Sequence, residues 1–298
     1  MTNVGSAQSL LHPLSWARLN TISPSLEHIY WQGNASLLAQ QGLAIVGSRR
    51  ASAQGLVDAK DFAVHAATRG MSVISGLAVG VDAAAHMGAL SVAGHTIAVL
   101  AHGLDQTYPK RHQWLLHQIL ESGGLLVSEY PDGTPPRPYQ FPLRNRLIAG
   151  LSRGICLIEA ARGSGSIITA LYGLEMGVDV SVVPGSIHDP LFEGGLGLIR
   201  QGAGLVRSAN EWLEDLGLAP PPRPVPQPSQ LWDADDDPRA DGVIRVLSAQ
   251  AQGLEALCES SGLSQADVQA GLLVLELQGR AHRTPHGGWQ RLVRPGVF

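Results

Sequence analysis

The residues of this chain best suited to chemistry are basic, amide and hydroxyl groups that could hold phosphates. Residues 141–146 read Phe-Pro-Leu-Arg-Asn-Arg, and residues 163–166 read Gly-Ser-Gly-Ser ahead of a helical pattern. A guanidinium group grips phosphate oxygens as a planar fork, and backbone amides at a helix start favour anions. The two segments therefore predict a site that binds rather than one that breaks bonds.

Two further basic segments are predicted to converge on the same site. Gly-Ser-Arg-Arg at 47–50 follows an apolar run, and Lys-Arg at 110–111 stands ahead of a helix. Two basic loops at one edge of a sheet are typical of a nucleic-acid contact. The candidate phosphate-binding or strand-binding residues are Gly47, Ser48, Arg49, Arg50, Lys110, Arg111, Phe141, Arg144, Asn145, Arg146, Ser164, Gly165, Ser166 and Thr169.

Each of these assignments has a structural alternative. Arg49 and Arg50 would then be an exposed pair beside a tight turn, and Arg144 and Arg146 would cap a helix and pair with local carboxylates. Phe141, an aromatic residue before a helix, is typical of a packing staple as well as of a stacking platform. The sequence alone leaves these alternatives open.

Four residues are predicted to orient the loops. His86 follows Asp82 by four residues, which predicts a hydrogen-bonded pair on one helix face. Glu129, at the end of a predicted strand, is expected to hold a loop or an arginine. Glu159 also comes directly after an apolar run. We assign all four to positioning rather than to acid–base catalysis.

The sequence lacks the signatures of a cofactor or a catalytic metal. No Gly-x-Gly-x-x-Gly run follows the first predicted strand, and no Gly-Lys-Ser/Thr follows the loop at 163–166. No His/Cys cluster has metal-ligand spacing, and no nucleophile elbow occurs. We therefore predict a protein that is not an enzyme and that uses neither cofactor nor metal.

Composition indicates a globular protein whose basic surface is local. The chain has 298 residues, of which 44% are hydrophobic, and a formal net charge of -4. Cys156, one of two cysteines, lies in an apolar run and is predicted to be a buried structural thiol. Because no leader pattern and no apolar run of about twenty residues occur, we expect a cytoplasmic protein with no membrane span.

Apolar runs that alternate with helical patterns predict an α/β fold. The expected architecture is an extended Rossmann-like, doubly wound, mostly parallel sheet, with its ligand site at the carboxyl ends of the strands. Buried strands are predicted at 43–46, 72–74, 96–100, 125–127, 155–158 and 178–183, and crossover helices at 54–68, 81–92, 113–120 and 167–176.

Four regions are predicted along the chain. They are a short N-terminal extension at 1–41, the Rossmann-like domain at 42–218, a Pro-rich acidic linker at 219–238 and a small winged-helix-like domain at 239–298. In the extension, residues 29–34 predict one strand ending in a turn. In the last domain, helices are predicted at 242–249, 254–260 and 264–277, with Ser264 as an N-cap, and strands at 280–284 and 289–293.

A set of ordered motifs across 43–206 resembles the DNA-processing protein A family (DprA, also called Smf). The motifs are Gly-Ser-Arg at 47–49, Ser-Gly-Leu-Ala-Val-Gly-Val-Asp at 75–82 with Ala-His at 85–86, Gly-Leu-Asp at 103–105 with Tyr-Pro at 108–109, Ser-Glu at 128–129, Phe-Pro at 141–142 with Arg-Asn-Arg at 144–146, and Glu-Ala at 159–160 with Ser-Gly-Ser at 164–166 and Thr-Ala at 169–170.

This resemblance implies a function. It implies an extended Rossmann fold that binds single-stranded DNA without hydrolysing it and forms a homodimer. It also implies that the protein loads the RecA recombinase on incoming DNA during natural transformation, with single-stranded DNA-binding protein as a further partner.

The resemblance also assigns residues. It implies that Gly47, Ser48 and Arg49 line a phosphate pocket, that Lys110 contacts the strand, and that the motifs at 144–146 and 164–169 complete the pocket. The sequence departs from the family pattern at 194–197, where Leu196 stands in place of a frequent asparagine.

One alternative function comes from a different class. Phosphoribohydrolases with a Rossmann-like fold also join a Gly-rich loop to a helix and an acidic residue, although their Pro-Gly-Gly-x-Gly-Thr-x-x-Glu pattern does not occur in this sequence. The winged-helix-like domain is equally open at this level, because it could bind duplex DNA or another protein.

Overall fold

The computed structural model describes residues 2–22, 24–218, 237–285 and 287–292. The chain divides near residue 221 into two compact units. The predicted linker at 219–238 lies outside the described residues except for its last two positions. Each unit has a hydrophobic core of its own.

The larger unit is built on a sheet that, within the described residues, has nine strands. The strands are β1 (Asn3–Ser6), β2 (His28–Gly33), β3 (Gly42–Gly47), β4 (Val73–Ser75), β5 (Thr96–Leu100), β6 (Leu125–Ser128), β7 (Ser152–Ile158), β8 (Asp179–Val182) and β9 (Gly204–Leu205). Their spatial order is β1-β2-β6-β5-β4-β3-β7-β8-β9. Neighbours from β6 to β9 pair in parallel, which confirms the predicted mostly parallel, doubly wound sheet.

Helices cover both faces of this sheet, so its central strands are apolar on both sides. All six residues of β3 are buried. The helices are α1 (Ala7–Leu10), α2 (Pro13–Asn20), α3 (Ala53–Thr68), α4 (Val81–Ser91), α5 (Gln113–Glu121), α6 (Gln140–Gly150), α7 (Gly165–Glu175), α8 (Glu193–Ile199) and α9 (Ala209–Asp215). Short 3₁₀ turns occur at Ala35–Ala39 and Lys110–His112.

Local hydrogen bonds explain where the crossover helices begin. Ser52 precedes α3 and its side-chain oxygen accepts a hydrogen bond from the amide of Gly55 at 3.0 Å. Ser208 does the same for α9 through the amide of Glu211 at 3.2 Å. These serines satisfy amides that have no partner within the first turn of a helix.

The N-terminal segment has more structure than the sequence predicted. The predicted strand at 29–34 is β2, but β1 was not foreseen, and the two form an antiparallel pair that continues the main sheet beside β6. The apolar pattern of β1 is too short to be recognised, because four residues give only two positions on each face. The segment is thus an edge of the large sheet.

The smaller unit has the three helices and the hairpin of a winged helix. They are α10 (Pro238–Val246), α11 (Leu254–Ser261), α12 (Gln265–Leu277), β10 (Ala281–Arg283) and β11 (Trp289–Arg291). The first helix begins four residues before its predicted start because Asp237 caps it, accepting from the amide of Arg239 at 3.0 Å, and Pro238 fits the first helical position. Ser264 caps α12 as predicted, accepting from the amide of Asp267 at 3.2 Å.

Among the described residues, no helix is long and apolar enough to cross a membrane.

The face of the sheet that carries α3 and α4 rests on a buried aromatic pair, which gives a test of the fold. Trp212 of α9 is completely buried and its ring lies 5.9 Å from that of Phe62 in α3. Replacing it by alanine should lower the free energy of unfolding by about 3–5 kcal/mol, because the cavity cannot collapse fully. Urea unfolding followed by circular dichroism measures the change. The matched control is Trp114→Ala, since Trp114 is half exposed; equal losses in the two variants would contradict this packing.

Candidate functional site

The direction in which the sheet grows reverses between β3 and β7, where doubly wound folds usually bind a ligand. In this protein a carboxylate occupies that crevice. Glu159 directly follows β7 and is only 3% exposed. Its Oε2 accepts a hydrogen bond from the amide of Ser52 at 2.7 Å, and its Oε1 accepts one from the Ser52 hydroxyl. Glu159 therefore fixes the loop after β3, as predicted for a positioning residue.

This contact changes the expectation for the loop after β3. Gly47, Ser48 and Arg49 were predicted to hold a phosphate ahead of α3, but the Glu159 carboxylate already supplies a negative charge at the start of that helix. Gly55 allows its approach, because a Cβ at that position would lie 2.4 Å from Glu159 Cδ. The place that a phosphate was expected to take is filled by the protein itself.

A second carboxylate organises the loop after β4. Asp82, in the first turn of α4, is buried, and its Oδ2 accepts hydrogen bonds from the amides of Gly76 at 3.1 Å and Ala78 at 3.3 Å. Burial raises the pKa of Asp82, while the nearby Arg144 charge and these amides oppose the rise. The loop amides therefore point at a protein carboxylate and not outward.

The predicted hydrogen bond between Asp82 and His86 is wrong. His86 is buried, and its Nδ1 lies 2.7 Å from the hydroxyl of Thr96 in β5. Because Asp82 turns toward the amides that precede α4, its carboxylate is not available to a residue one turn further on. Burial, reinforced by the charges of His112 and Arg144, lowers the pKa of His86 to about 3. His86 is thus a neutral core residue.

Arg144, in α6, places a buried cation beneath the loop after β4. Its Nη1 donates to the carbonyl of Gly76 at 3.0 Å and to the carbonyl of Val99, and its Nε donates to Asn145 Oδ1 at 3.2 Å. The side chain is 4% exposed. Burial lowers its pKa to about 10, Asp82 opposes this, and the positive charge of Arg49 adds to it. Arg144 is therefore a buried cation that carbonyl oxygens and the Asp82 carboxylate compensate.

Arg146 and Glu129 form a buried ion pair. Arg146 is 1% exposed, and its Nη2 donates to Glu129 Oε2. Burial raises the pKa of Glu129, and the Arg146 charge works against that rise. The prediction that Glu129 holds an arginine is thus met. The expected direct contact of Arg146 with a phosphate is not supported by this geometry, because its guanidinium group lies in the interior.

Asn145 joins α6 to the loop at 163–166 by a hydrogen bond. The Asn145 Nδ2 group donates to the carbonyl of Gly165 at 3.0 Å, and Ser164 caps α7 with its hydroxyl 2.8 Å from that of Ser166. Gly165 is exposed, whereas Asn145, Ser166 and Thr169 are buried. Asn145 therefore holds the loop in place, and the surface that this loop offers to solvent is mainly backbone.

A cleft opens where the loops after β3, β4 and β5 meet the start of α6. Arg49 is exposed and lies over the ring of Phe141, with its Cζ atom 5.6 Å from the ring centre. The ring of Tyr108 lies 5.3 Å from that of Phe141 on the same cleft wall. The cleft is lined by Arg49, Gly76, Ala78, Val79, Tyr108, Pro109, Phe141 and Arg144. An exposed cation, a buried cation and two aromatic rings therefore face one space.

The other basic candidates lie around this cleft. Arg50, Lys110 and Arg111 are exposed. Ser48 is buried, and its hydroxyl accepts from the amide of Arg50 at 3.0 Å, so it shapes the turn. Gly47 is where β3 approaches β7 so closely that a Cβ would lie 1.8 Å from the carbonyl oxygen of Ile158. The structure thus assigns Arg49 to the cleft and Ser48 and Gly47 to its support.

Sequence reasoning missed Tyr108 and Val79 as lining residues. Tyr108 is 46% exposed, directly before Pro109. The available signal was an aromatic residue in a loop after a strand, followed closely by Lys110 and Arg111. Val79 carries no such signal, because a valine in a loop is indistinguishable from a core residue until the fold is known.

Comparisons with known proteins identify the family of this chain. The family model of DNA recombination-mediator protein A matches residues 12–217, and that of the DprA winged helix domain matches residues 220–287. The chain belongs to the DNA recombination-mediator protein A family. The family match covers both β3, with its Arg49 loop, and α6, with the Arg-Asn-Arg motif.

Individual relatives support the family assignment. Protein Smf of Escherichia coli is 39% identical over 269 residues, which cover 89% of this chain and 72% of that protein. DNA processing protein DprA of Streptococcus pneumoniae is 42% identical over 187 residues, 63% of this chain and 66% of its own length. A crystal structure of the Streptococcus pneumoniae protein superposes with a TM-score of 0.64 at 39% identity, covering 72% of this chain and 74% of the other.

A more distant structure has the same fold. DNA processing protein A from Helicobacter pylori, whose structure is described in terms of its single-stranded DNA binding mode, has a TM-score of 0.64 at 24% identity. The match covers 72% of this chain and 95% of that one. Leu196, at the position where the motif resemblance implied an asparagine, lies half-buried in α8 and offers no polar group.

A carboxylate of α3, that of Asp58, makes the free energy of unfolding depend on pH. Burial raises the pKa of Asp58 to about 6; the Gln54 hydrogen bond opposes this, and Glu159 and Asp61 add to it. The folded state thus ionises Asp58 at higher pH than the unfolded state, so stability falls as pH rises from about 4 through 6. Asp58→Asn should remove on the order of 2 kcal/mol of this fall. Urea unfolding at pH 4 and pH 7 measures it, with exposed Asp215→Asn as control; an unchanged slope in Asp58→Asn would contradict the prediction.

Proposed function

We propose that the cleft binds single-stranded DNA, with Arg49 and Arg144 attracting a phosphate and Phe141 and Tyr108 stacking on bases. The observation that carries the proposal is that an exposed guanidinium group, a buried guanidinium group and two aromatic rings line one cleft. A phosphate held by the two guanidinium groups makes charge-assisted hydrogen bonds. Exposed Arg50, Lys110 and Arg111 extend the positive surface along the strand.

Single strands suit this cleft better than duplexes do. Base stacking on aromatic side chains needs unpaired bases and contributes roughly 1–3 kcal/mol per base. Around the cleft, Arg49 and Arg50 lie on a loop and Lys110 and Arg111 in a short 3₁₀ turn, rather than on a helix that could enter a major groove. In the smaller unit, α12 contains Asp267 and Glu276 and no lysine or arginine, which disfavours duplex binding by that helix.

The remaining buried residues act through position. Glu159 and Asp82 hold the loops after β3 and β4, and the Glu129–Arg146 pair anchors α6 beneath the cleft. Asn145 joins α6 to the loop at 164–166. We therefore propose that Arg146, Asn145, Ser166 and Thr169 set the geometry of the cleft, while Arg49, Phe141 and the exposed basic residues contact the strand.

The cellular role that we propose is that of a recombination mediator. The family description supports it, and the expectation drawn from the motifs is that the protein protects incoming DNA and loads RecA during natural transformation. We further propose that it acts as a homodimer, because linking two clefts raises the effective concentration of the second for a strand held by the first. Single-stranded DNA-binding protein is the other proposed partner, and the cytoplasm the proposed compartment.

We propose no catalytic step. The alternative, a phosphoribohydrolase, needs a carboxylate that reaches a sugar, and the acidic residue beside the Gly/Ser loop is Glu159. This residue is 3% exposed and bonded to Ser52. A chromatographic assay should find no free base released from nucleoside monophosphates; release that disappears in Glu159→Gln would establish the enzyme instead.

The proposal makes Arg49 the decisive contact. Arg49→Ala should weaken binding of labelled single-stranded oligonucleotides by about tenfold or more and lower the salt slope of log K by about one. Fluorescence anisotropy over a salt series measures both. Arg153→Ala is the matched control, because Arg153 is exposed at the amino end of β7, at the opposite edge of the sheet. Wild-type affinity in Arg49→Ala, or equal losses in both variants, would contradict this contact.

RecA loading and dimerisation are testable on the same material. RecA strand exchange on single-stranded DNA coated with single-stranded DNA-binding protein should be accelerated by wild type and not by Arg49→Ala, since a mediator must hold the strand. Analytical ultracentrifugation should give twice the monomer mass for both proteins. Acceleration by Arg49→Ala equal to that of wild type would contradict the role of the cleft, and a monomer in both would contradict the dimer.

A further inference from the structure

A groove between α3 and α4 adjoins the cleft and is not used by the proposal above. It encloses about 480 Å³, within the range of small-ligand sites. Leu56 and Lys60, one turn apart in α3, line one side of the groove, and Met87 of α4 lines the other. Leu56 is 39% and Met87 38% exposed, so two large apolar side chains face solvent there.

The groove is continuous with the cleft. Arg49 and Val79 line both spaces. The helices α3 and α4 pack closely at Gly88, where a Cβ would be 2.4 Å from the carbonyl oxygen of Lys60. The residues of the two helices that line the groove lie between this contact and the loops that precede the helices. Lys60 comes eight residues after Ser52, about 12 Å along the helix. A chain leaving the cleft past Arg49 would therefore run along α3.

The charge of the groove selects its occupant. Its rim carries Arg49, Lys60 and Arg111, and no carboxylate is among the described residues that line it. An apolar floor between three cations suits a ligand with flat apolar faces and a repeated negative charge. Methionine is flexible and polarizable, so it can pack on any of the bases. A hydrophobic peptide would leave the three cations without a partner.

We propose that this groove is a second nucleotide subsite, in which the strand that leaves the cleft lays a base on Met87 and Leu56 and a phosphate beside Lys60. The inference rests on the proposed function and extends it, because it gives the strand a path beyond the cleft. It makes Lys60 a contact for long strands only.

The sequence offers a direct test, because it contains two lysines: Lys110, which directly follows the cleft residues Tyr108 and Pro109, and Lys60, which lines the groove. Trace acetylation with an amine-reactive ester, read by mass spectrometry, reports their accessibility in the full chain. Oligothymidylates of about 4 and about 16 nucleotides span the range of site sizes found for OB-fold single-strand binders. The short strand should protect Lys110 and leave Lys60 reactive, and the long strand should protect both. Lys60 that stays fully reactive while Lys110 is protected by the long strand would overturn the proposal.

Affinity gives a second readout. Lys60→Gln should bind the short oligothymidylate as wild type does, lose the gain in affinity that wild type shows with the long one, and lower the salt slope for the long strand by about one. Arg153→Gln, with the same charge change at the opposite edge, should change neither. If wild type binds no strand of either length, the proposed function has failed; if it binds and Lys60→Gln matches it at both lengths, only the groove has failed.

Discussion

The site depends on a buried arginine charge. Arg144 is held beneath the loops after β4 and β5 by carbonyl oxygens of Gly76 and Val99, with the carboxylate of Asp82 nearby. A buried charge is tolerated only where such partners compensate for lost hydration. Gly76 and Asp82 also fix the loop after β4, which lines the cleft. The same interaction therefore shapes one wall of the cleft and places a positive charge there, in a protein whose net charge is -4.

In many Rossmann-like proteins, a bound phosphate accepts hydrogen bonds from loop amides at the start of a helix. In this fold, two carboxylates of the protein accept such hydrogen bonds. Glu159 fills the start of α3, and Asp82 gathers the amides ahead of α4. The usual crevice between β3 and β7 is consequently closed, and ligand access moves to the cleft on the other side of β3, over α6. Because hydrogen bonds within the protein already hold these loops, less conformational entropy is lost when a ligand binds.

Much of the fold could be predicted, because its strands are short apolar runs between turn residues and its helices are long. The sequence also predicted the N-cap at Ser264 and the change from the α/β domain to a winged-helix domain. The site was harder. A motif such as Arg-Asn-Arg shows which groups are present but not which are buried, and only packing reveals that Arg146 faces Glu129 while Arg49 faces solvent. Likewise, the pairing of Asp82 with His86 followed from helical spacing, but tertiary hydrogen bonds overrode it.

Locating a bound strand on the protein decides whether the cleft is the DNA-binding site. A single-stranded oligonucleotide containing 5-iodouracil, irradiated in complex with the full protein and mapped by peptide mass spectrometry, marks the aromatic side chains that touch its bases. The account predicts crosslinks at Tyr108 or Phe141, with Arg49→Ala reducing them. Crosslinks confined to the winged-helix unit, with none from the cleft at saturating DNA, would contradict it.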